Sequence, residues 1–161
     1  MREWLARLFG RAPPLLGEAR AGDAVAMAAL HAASFRRGWS DDEMERLLLD
    51  SQVIAHRAAR GRRVDGFILS RRAADEAEIL SVAVERRRRG KGCARALLDL
   101  HLRRLAGMGV RAVFLEVDEH NAPARKLYDR AGFAQVGRRQ GYYPAEGGAA
   151  SAALVLRRDL P

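Results

Sequence analysis

Cysteine is nearly missing from this chain: Cys93 is the only one in 161 residues. A lone cysteine excludes an internal disulfide framework and any zinc site built on cysteine pairs, so no metal is expected. It suits a reducing compartment, and a cytoplasmic setting is expected. Lysine is almost as scarce, with Lys91 and Lys126 alone, and aromatic residues make up only 6%. So few aromatics argue against a surface that reads nucleic acid by base stacking. No apolar run approaches a membrane span, so no membrane partner is expected. The opening MREWLARLFGRAPP is basic and amphipathic but has no continuous apolar stretch or signal-cleavage site. Residues 1–13 are therefore expected to form a basic tail or short helix, ended by Pro13-Pro14.

What is present is arginine and aliphatic residues. Basic residues outnumber acidic ones by 29 to 20, a formal net charge of +9. That surplus favours a polyanionic ligand, nucleic acid or a ribosomal neighbourhood without choosing between them. With 48% apolar residues there is material for a real core, and the length suits one domain over 14–161.

Patterning gives the order β-α-α-β-β-β-α-β-α-β-β. A short strand is expected over 14–19, with Gly22-Asp23 as the cap of a helix over 24–33. Ser40 followed three residues later by Glu43 is a capping box, which predicts a helix over 41–49. Strands are expected over 52–59 and 64–71, joined by the Arg60-Gly61-Arg62 turn. The run AEILSVAV (77–84) reads as a strand buried on both faces. Leu97, Leu98, Leu102 and Leu105 share one side of a helix over 92–108. A strand over 110–117, a helix over 123–131 opened by Pro123, and strands over 133–141 and 152–157 complete the chain. The last two are joined through Tyr142-Tyr143-Pro144 and a glycine-rich turn.

The stretch RRRRGKGCARALL (86–98) puts an arginine run and two glycines where a strand turns into a helix. A helix start presents unpaired N–H groups and about half a positive charge, and glycines let an anion approach the backbone. The spacing is neither a Walker P-loop nor a G-x-G-x-x-G dinucleotide fingerprint. It reads Arg89-x-x-Gly92-x-Ala94. This resembles the [QR]-x-x-G-x-[GA] signature of the GNAT superfamily of acyl-CoA-dependent N-acetyltransferases. LEVDEHNAPARKLYDRAGF (115–133) is similar to that superfamily's second conserved segment. GYYP near the end and GWS near Trp39 resemble its ribosomal-protein-alanine N-acetyltransferase (RimI) branch. The likeness runs from about Leu15 to Leu156.

The resemblance implies an α/β (α+β) fold: a mixed sheet of six to seven strands, splayed between the fourth and fifth, with about four helices. It implies acetyl-CoA as cosubstrate and direct acetyl transfer to a primary amine, foremost the N-terminal α-amino group of a protein, by the RimI likeness a ribosomal one. Arg89, Gly90, Lys91, Gly92, Cys93 and Ala94 would cradle the CoA pyrophosphate. Val82, Ala83 and Val84 would pair their backbone with the pantetheine arm, and Asn121 would bond to it or cap the next helix. Glu116, a carboxylate within the apolar VFLEV, would be the general base, with Glu78 as its rival. Tyr128 would be the general acid, or else a packed helical tyrosine. Cys93 reads as apolar filler. The acidic stretch Glu116, Asp118 and Glu119 would draw a cationic acceptor or be a solvated strand end. Tyr142 and Tyr143 would wall the acceptor groove or belong to the core. The four histidines suggest no motif.

Chemistry favours the N-terminal acceptor. The attacking amine must be neutral, and deprotonating an α-amino group near neutrality costs about 1 kcal/mol, against about 4–5 for lysine. A lysine, polyamine or other small amine is the alternative acceptor. A basic nucleic-acid-binding module is the alternative from another class, but no such motif accompanies the arginine row, and no direct nucleic-acid contact is expected.

Overall fold

A computed structural model describes residues 13–143 and 150–161. The expectations for the terminal tail up to residue 12, and for Pro144 and the glycine-rich turn after it, lie outside the described residues. Seven strands form one sheet in the order β1-β2-β3-β4-β5-β7-β6. They are β1 (Leu15–Glu18), β2 (Val53–Arg60), β3 (Arg63–Ala73), β4 (Glu76–Val84), β5 (Ala112–Asp118), β6 (Ala134–Tyr143) and β7 (Ser151–Asp159). Every neighbouring pair is antiparallel except β4 and β5, which run parallel. The helices are α1 (Ala24–Ser34), α2 (Asp41–Leu49), α3 (Cys93–Gly107) and α4 (Ala122–Arg130). The mixed sheet, its splay and the four α-helices match the expected class, and each element falls within a few residues of its sequence-based position.

The sheet separates two cores. On one side Leu97, Leu98, Leu102 and Leu105 of α3 pack with Tyr128 of α4 against Ile68, Ile79, Leu115 and Leu154. On the other, Met27 of α1 and Met44 of α2 pack against Phe67 and Leu69. The four leucines of α3 are 0–4% exposed, and truncating such a side chain to alanine costs about 2–5 kcal/mol. Gly66 lets α3 approach closely: a Cβ there would lie 3.1 Å from the Ala83 carbonyl oxygen and 3.2 Å from Cys93 Sγ.

Local chemistry explains the helix starts, with one exception. The Ser40 hydroxyl accepts from the Glu43 N–H at 3.2 Å, and the Glu43 carboxylate accepts from the Ser40 N–H at 2.8 Å. Asp23, expected to cap α1, does not place its side chain on that helix. Its carboxylate accepts instead from the Arg20 N–H and from Arg57 Nε, both at 2.9 Å. A guanidinium from β2 is the stronger partner, because a charge-assisted bond outweighs a neutral one.

β4 also departs from expectation. Glu76 and Glu78 are exposed and Leu80 and Val82 only partly covered, so the strand is not buried on both faces. Its register against β3 steps from Leu69↔Ser81 to Ser70↔Ile79, leaving Leu80 as an extra residue. This bulge reverses which face later residues occupy. Ile79 and Val82 join the α3 core, while Leu80 and Ala83 join the α1 core.

Three of the four histidines are buried polar residues of the core layers, a use that sequence spacing did not reveal. His56 Nδ1 and His101 Nδ1 share one hydrogen at 2.7 Å, and His101 Nε2 lies 2.7 Å from the Ser70 hydroxyl. Burial, aided by His56, pushes the His101 pKa down to about 3. Burial also lowers His56. The unfolded chain protonates these groups near pH 6.5 while the fold keeps them neutral. Acid therefore favours the unfolded chain, and stability is greatest above about pH 6.5. We expect the unfolding free energy from urea titrations to fall steadily as pH drops from about 7 to about 4, by up to about 1.4 kcal/mol per pH unit per group. His101→Gln should flatten that slope; an unchanged slope would assign the acid sensitivity to other groups.

Candidate active site

The sheet opens where β4 and β5 part. Their parallel pairing covers only Glu76↔Ala112, Ala77↔Val113 and Glu78↔Phe114. Beyond that rung β4 continues to Val84 held only by β3, and β5 continues to Asp118 held only by β7. The fork leaves one backbone edge of each strand without a strand partner, and buried N–H and C=O groups need partners. Ser81, on β4 within the fork, has a buried hydroxyl with no hydrogen-bond partner among the described residues. Val82, Ala83 and Val84 come next along the open edge.

At the far end of β4 the chain passes through a 3-10 turn (Arg86–Arg88) into α3. Gly90 and Gly92 have φ of 72° and 82°, left-handed values that strain any residue with a Cβ. A Cβ at either would meet nothing within 4 Å, so the loop surface is open as well as strained. The Ala96 N–H makes the first helical bond, to the Gly92 carbonyl at 3.0 Å. The amides of Cys93, Ala94 and Arg95 precede that ladder and lie at the positive end of the helix dipole. Burial raises the Cys93 thiol above its ordinary range, in keeping with apolar filler rather than a nucleophile.

Arg89 does not point into this loop. Its Nε donates to the Val84 carbonyl at 3.0 Å and its Nη2 lies 3.5 Å from the Ser34 hydroxyl. The guanidinium thus braces the loop against the end of β4 and the last turn of α1. Lys91 remains exposed beside Gly92. A recess of about 220 Å³ adjoins the loop, lined among others by Arg60, Asp65, Arg88, Lys91, Gly92 and Cys93.

Glu116 stands on β5 two residues beyond the last shared rung, with its side chain 20% exposed and its Oε1 3.1 Å from Arg139 Nη1. Arg139 lies on β6, and its guanidinium also sits 5.6 Å above the Tyr142 ring. No feature of the sequence pairs Arg139 with Glu116; antiparallel pairing of β6 and β5 to the two edges of β7 does so. Glu78, the rival carboxylate, is exposed on the last shared rung, at the closed end of the fork.

Tyr128 of α4 is 7% exposed and packs edge-to-face on Phe133 at 5.6 Å. Burial pushes its pKa up to about 12, with neighbouring Tyr143 adding to the effect. Tyr143 is raised too, by burial first and then by the charges of Glu116, Tyr142 and Asp118. Tyr143 thus bridges, electrostatically, the carboxylate on β5 and the phenol on α4. Tyr142 is 48% exposed and contributes nothing to the core.

The neighbouring acids are committed. Asp118 accepts from the Ser151 hydroxyl at 3.0 Å and from the His120 N–H at 2.9 Å. Glu119 accepts from Arg138 at 2.6 Å and from the Ala152 N–H at 2.9 Å. With Glu116 on Arg139, all three carboxylates of the stretch have partners, so it is not an open trap for cations. Asn121 caps α4, its side-chain oxygen accepting from the Ala124 N–H at 3.2 Å; its amide nitrogen is not used in that bond.

A sheet forked between parallel strands, with a glycine loop and helix start at the end of one of them, defines a family. The model of the Acetyltransferase (GNAT) family matches residues 24–133, more than half of the chain, and the chain belongs to that family. It is similar to the [ribosomal protein bS18]-alanine N-acetyltransferase of Haemophilus ducreyi, with 33% identity over 90 residues, 56% of this chain and 62% of that protein. The matched stretch thus spans less than two thirds of the relative's length. The fold is similar to the crystal structure of the ribosomal-protein-S18-alanine N-acetyltransferase from Escherichia coli, with a TM-score of 0.83 and 23% identity over 90% of this chain and 92% of that one. It is also similar to NAA60 of Arabidopsis thaliana in complex with acetyl-CoA, with a TM-score of 0.79 and 20% identity over 91% and 98% of the two chains.

Titration checks the environment of the tyrosines. Of the three in the chain, Tyr128 should ionise last, with phenolate absorbance still incomplete at a pH of about 11. Tyr128→Phe should remove that late phase, and its persistence would place the shifted phenol elsewhere.

Proposed function

We propose that this protein is an acetyl-CoA-dependent N-acetyltransferase whose acceptor is the N-terminal α-amino group of a protein, a ribosomal protein being the acceptor class named for its relatives. The observation that carries the reading is the fork between β4 and β5, open at Val82–Val84 and leading to the glycine loop at the start of α3. Backbone edges without strand partners, an orphaned Ser81 hydroxyl and a strained but open loop are what an extended amide-bearing arm with a diphosphate would satisfy. The site fits acetyl-CoA, which when bound supplies the activated acetyl thioester.

Binding and proton handling fall to the chain's own residues. The amides of Gly92, Cys93 and Ala94 hold the diphosphate at the helix start, with Gly90 shaping the turn, Lys91 adding charge and Arg89 bracing the loop from behind. Val82, Ala83 and Val84 offer backbone groups to the arm; the Val84 carbonyl already accepts from Arg89. Asn121 adds its amide nitrogen. Glu116 takes the proton that the attacking amine must lose, directly or through one water. Arg139, now on that carboxylate, has to yield to an incoming ammonium or share the carboxylate with it. Tyr128 stays protonated throughout the physiological range. With a pKa near 12 its phenol is a weak acid, so it serves best as a hydrogen-bond donor to the departing sulfur, with full proton transfer completed from water. Tyr142 and Tyr143 stand beside Glu116 as walls for the acceptor. A cytoplasmic setting fits the single unpaired cysteine.

The reading is tested by following CoA release from acetyl-CoA with Ala-, Ser- and Met-starting peptides beside lysine peptides and a polyamine. Acetylation of the α-amino group supports it; turnover confined to lysine or polyamine overturns the acceptor, and no turnover overturns the activity. Glu116→Gln should lower kcat by about 100-fold or more with the Kd for acetyl-CoA unchanged. A normal kcat in that variant, with loss in Glu78→Gln, would move the base to Glu78. Gly92→Val should abolish binding of acetyl-CoA in calorimetry, and a normal Kd would remove the loop from the cofactor site.

A further inference from the structure

Two turns far apart in sequence meet at one end of the sheet: the β2–β3 hairpin turn and the loop from β4 to α3. Residues 60–63 and 86–91 together carry eight basic side chains, and the acids next to them in sequence are Asp65 and Glu85. The local surplus of six is two thirds of the net charge of the whole chain. Left to itself such a surplus would repel and splay the two turns. The two acids prevent this. Asp65, 1% exposed, lies with its Oδ2 2.7 Å from Arg60 Nε and 3.9 Å from Arg88 Nε, and its Oδ1 3.6 Å from Arg63 Nε. Glu85 lies 3.8 Å from Arg63 and accepts from the Arg87 N–H at 3.0 Å, which fixes the 3-10 turn carrying the arginine row. A carboxylate buried this deeply is costly unless cations surround it. Here it orders a rigid base of arginines that joins the two turns.

The charges left over point outward. Arg62, Arg86, Arg87 and Lys91 are exposed, and among the described residues none of their side chains makes an ion pair or hydrogen bond. This contrasts with the acidic rim around Glu116, where Arg138 and Arg139 each have a carboxylate. The patch is mostly arginine, whose planar fork matches phosphate oxygens in pairs. Neither turn contains an aromatic residue, so there is no platform for stacking single-stranded bases and no aromatic anchor for a protein partner.

We propose, against the expectation from the sequence that no nucleic acid is contacted directly, that these two turns, joined on Asp65, form a docking face for the phosphate backbone of a duplex nucleic acid, read without regard to sequence. The face adjoins the glycine loop and shares Lys91 with it, but Arg62, Arg86 and Arg87 lie outside that loop, so these three serve placement of the protein rather than acetyl transfer. It does not depend on which amine is the acceptor.

The test uses the full chain and a fluorescent RNA hairpin and DNA duplex, with anisotropy read across a salt series. Binding to either duplex should weaken linearly in log–log form, with a slope of roughly 0.9 for each phosphate neutralised. The variant Arg62→Ala/Arg86→Ala/Arg87→Ala removes only side chains without partners. It should bind at least roughly tenfold more weakly, with the slope reduced by roughly 2–3, while its melting temperature and its Kd for acetyl-CoA stay those of the parent. Preference for the hairpin or the DNA decides which duplex is the partner. No binding at low salt, or equal binding by the variant, overturns the proposal. So does equally tight binding to polyglutamate, or binding to anionic lipid vesicles but to neither duplex. Loss of acetyl-CoA affinity in the variant, with duplex binding intact, would instead give the patch to the phosphates of the cofactor.

Discussion

Two parallel strands that start together and then separate set the terms for everything else in this protein. Hydrogen-bonding groups of the backbone tolerate burial only with partners, so a sheet does not open at its centre without cause. Three features hold it open. The extra residue Leu80 twists β4 away and swaps the faces of the residues on either side of it. α3, packed on Gly66 and the leucine stripe, carries the end of β4 with it. β7 takes the far edge of β5 and pulls it toward β6. The opening is therefore a property of both half-sheets, and local melting of a single strand would not produce it.

Polar contacts fix the loops, and the buried ones do so at a cost in desolvation. Asp65 ties two arginine turns together, Arg89 ties the glycine loop to α1, and the His56–His101–Ser70 chain ties β2 and β3 to α3. His31 accepts from the Trp39 N–H at 3.0 Å while stacked 4.1 Å from the Trp39 ring, which fixes the connection between α1 and α2. None of these is an isolated charge; each has its hydrogen-bonding or ionic partner within one or two neighbouring elements. The loops so fixed are those that flank the fork, and a site that must present donors at set positions gains from donors that do not have to reorganise.

The electrostatics around Glu116 and around the glycine loop differ in kind. Around Glu116 two of the three acids, Glu116 and Glu119, each hold an arginine and Asp118 is held by neutral donors, so the region keeps a small acidic surplus. Around the glycine loop the basic side chains exceed the acids by a wide margin.

Local signals were legible in the chain alone. Ser40 and Glu43 spelled a capping box because both partners lie within one helical turn. The leucines of α3 marked its buried face through their spacing, and Gly92 marked its start. What could not be read was any interaction whose partner lies on another element. Asp23 prefers a guanidinium from β2 to the helix it precedes. Arg89 turns back to Val84 and Ser34, and Glu116 finds Arg139 only because β7 lies between β5 and β6. The burial of three histidines and the joining of two arginine turns on Asp65 are of the same kind. The sequence by itself determined the elements, their order and the glycine turn at the start of α3, since those rest on contacts a few residues long. The tertiary structure alone decided which charges are paired, which are buried and which face water, since those depend on strands brought together across 20 to 90 residues of chain.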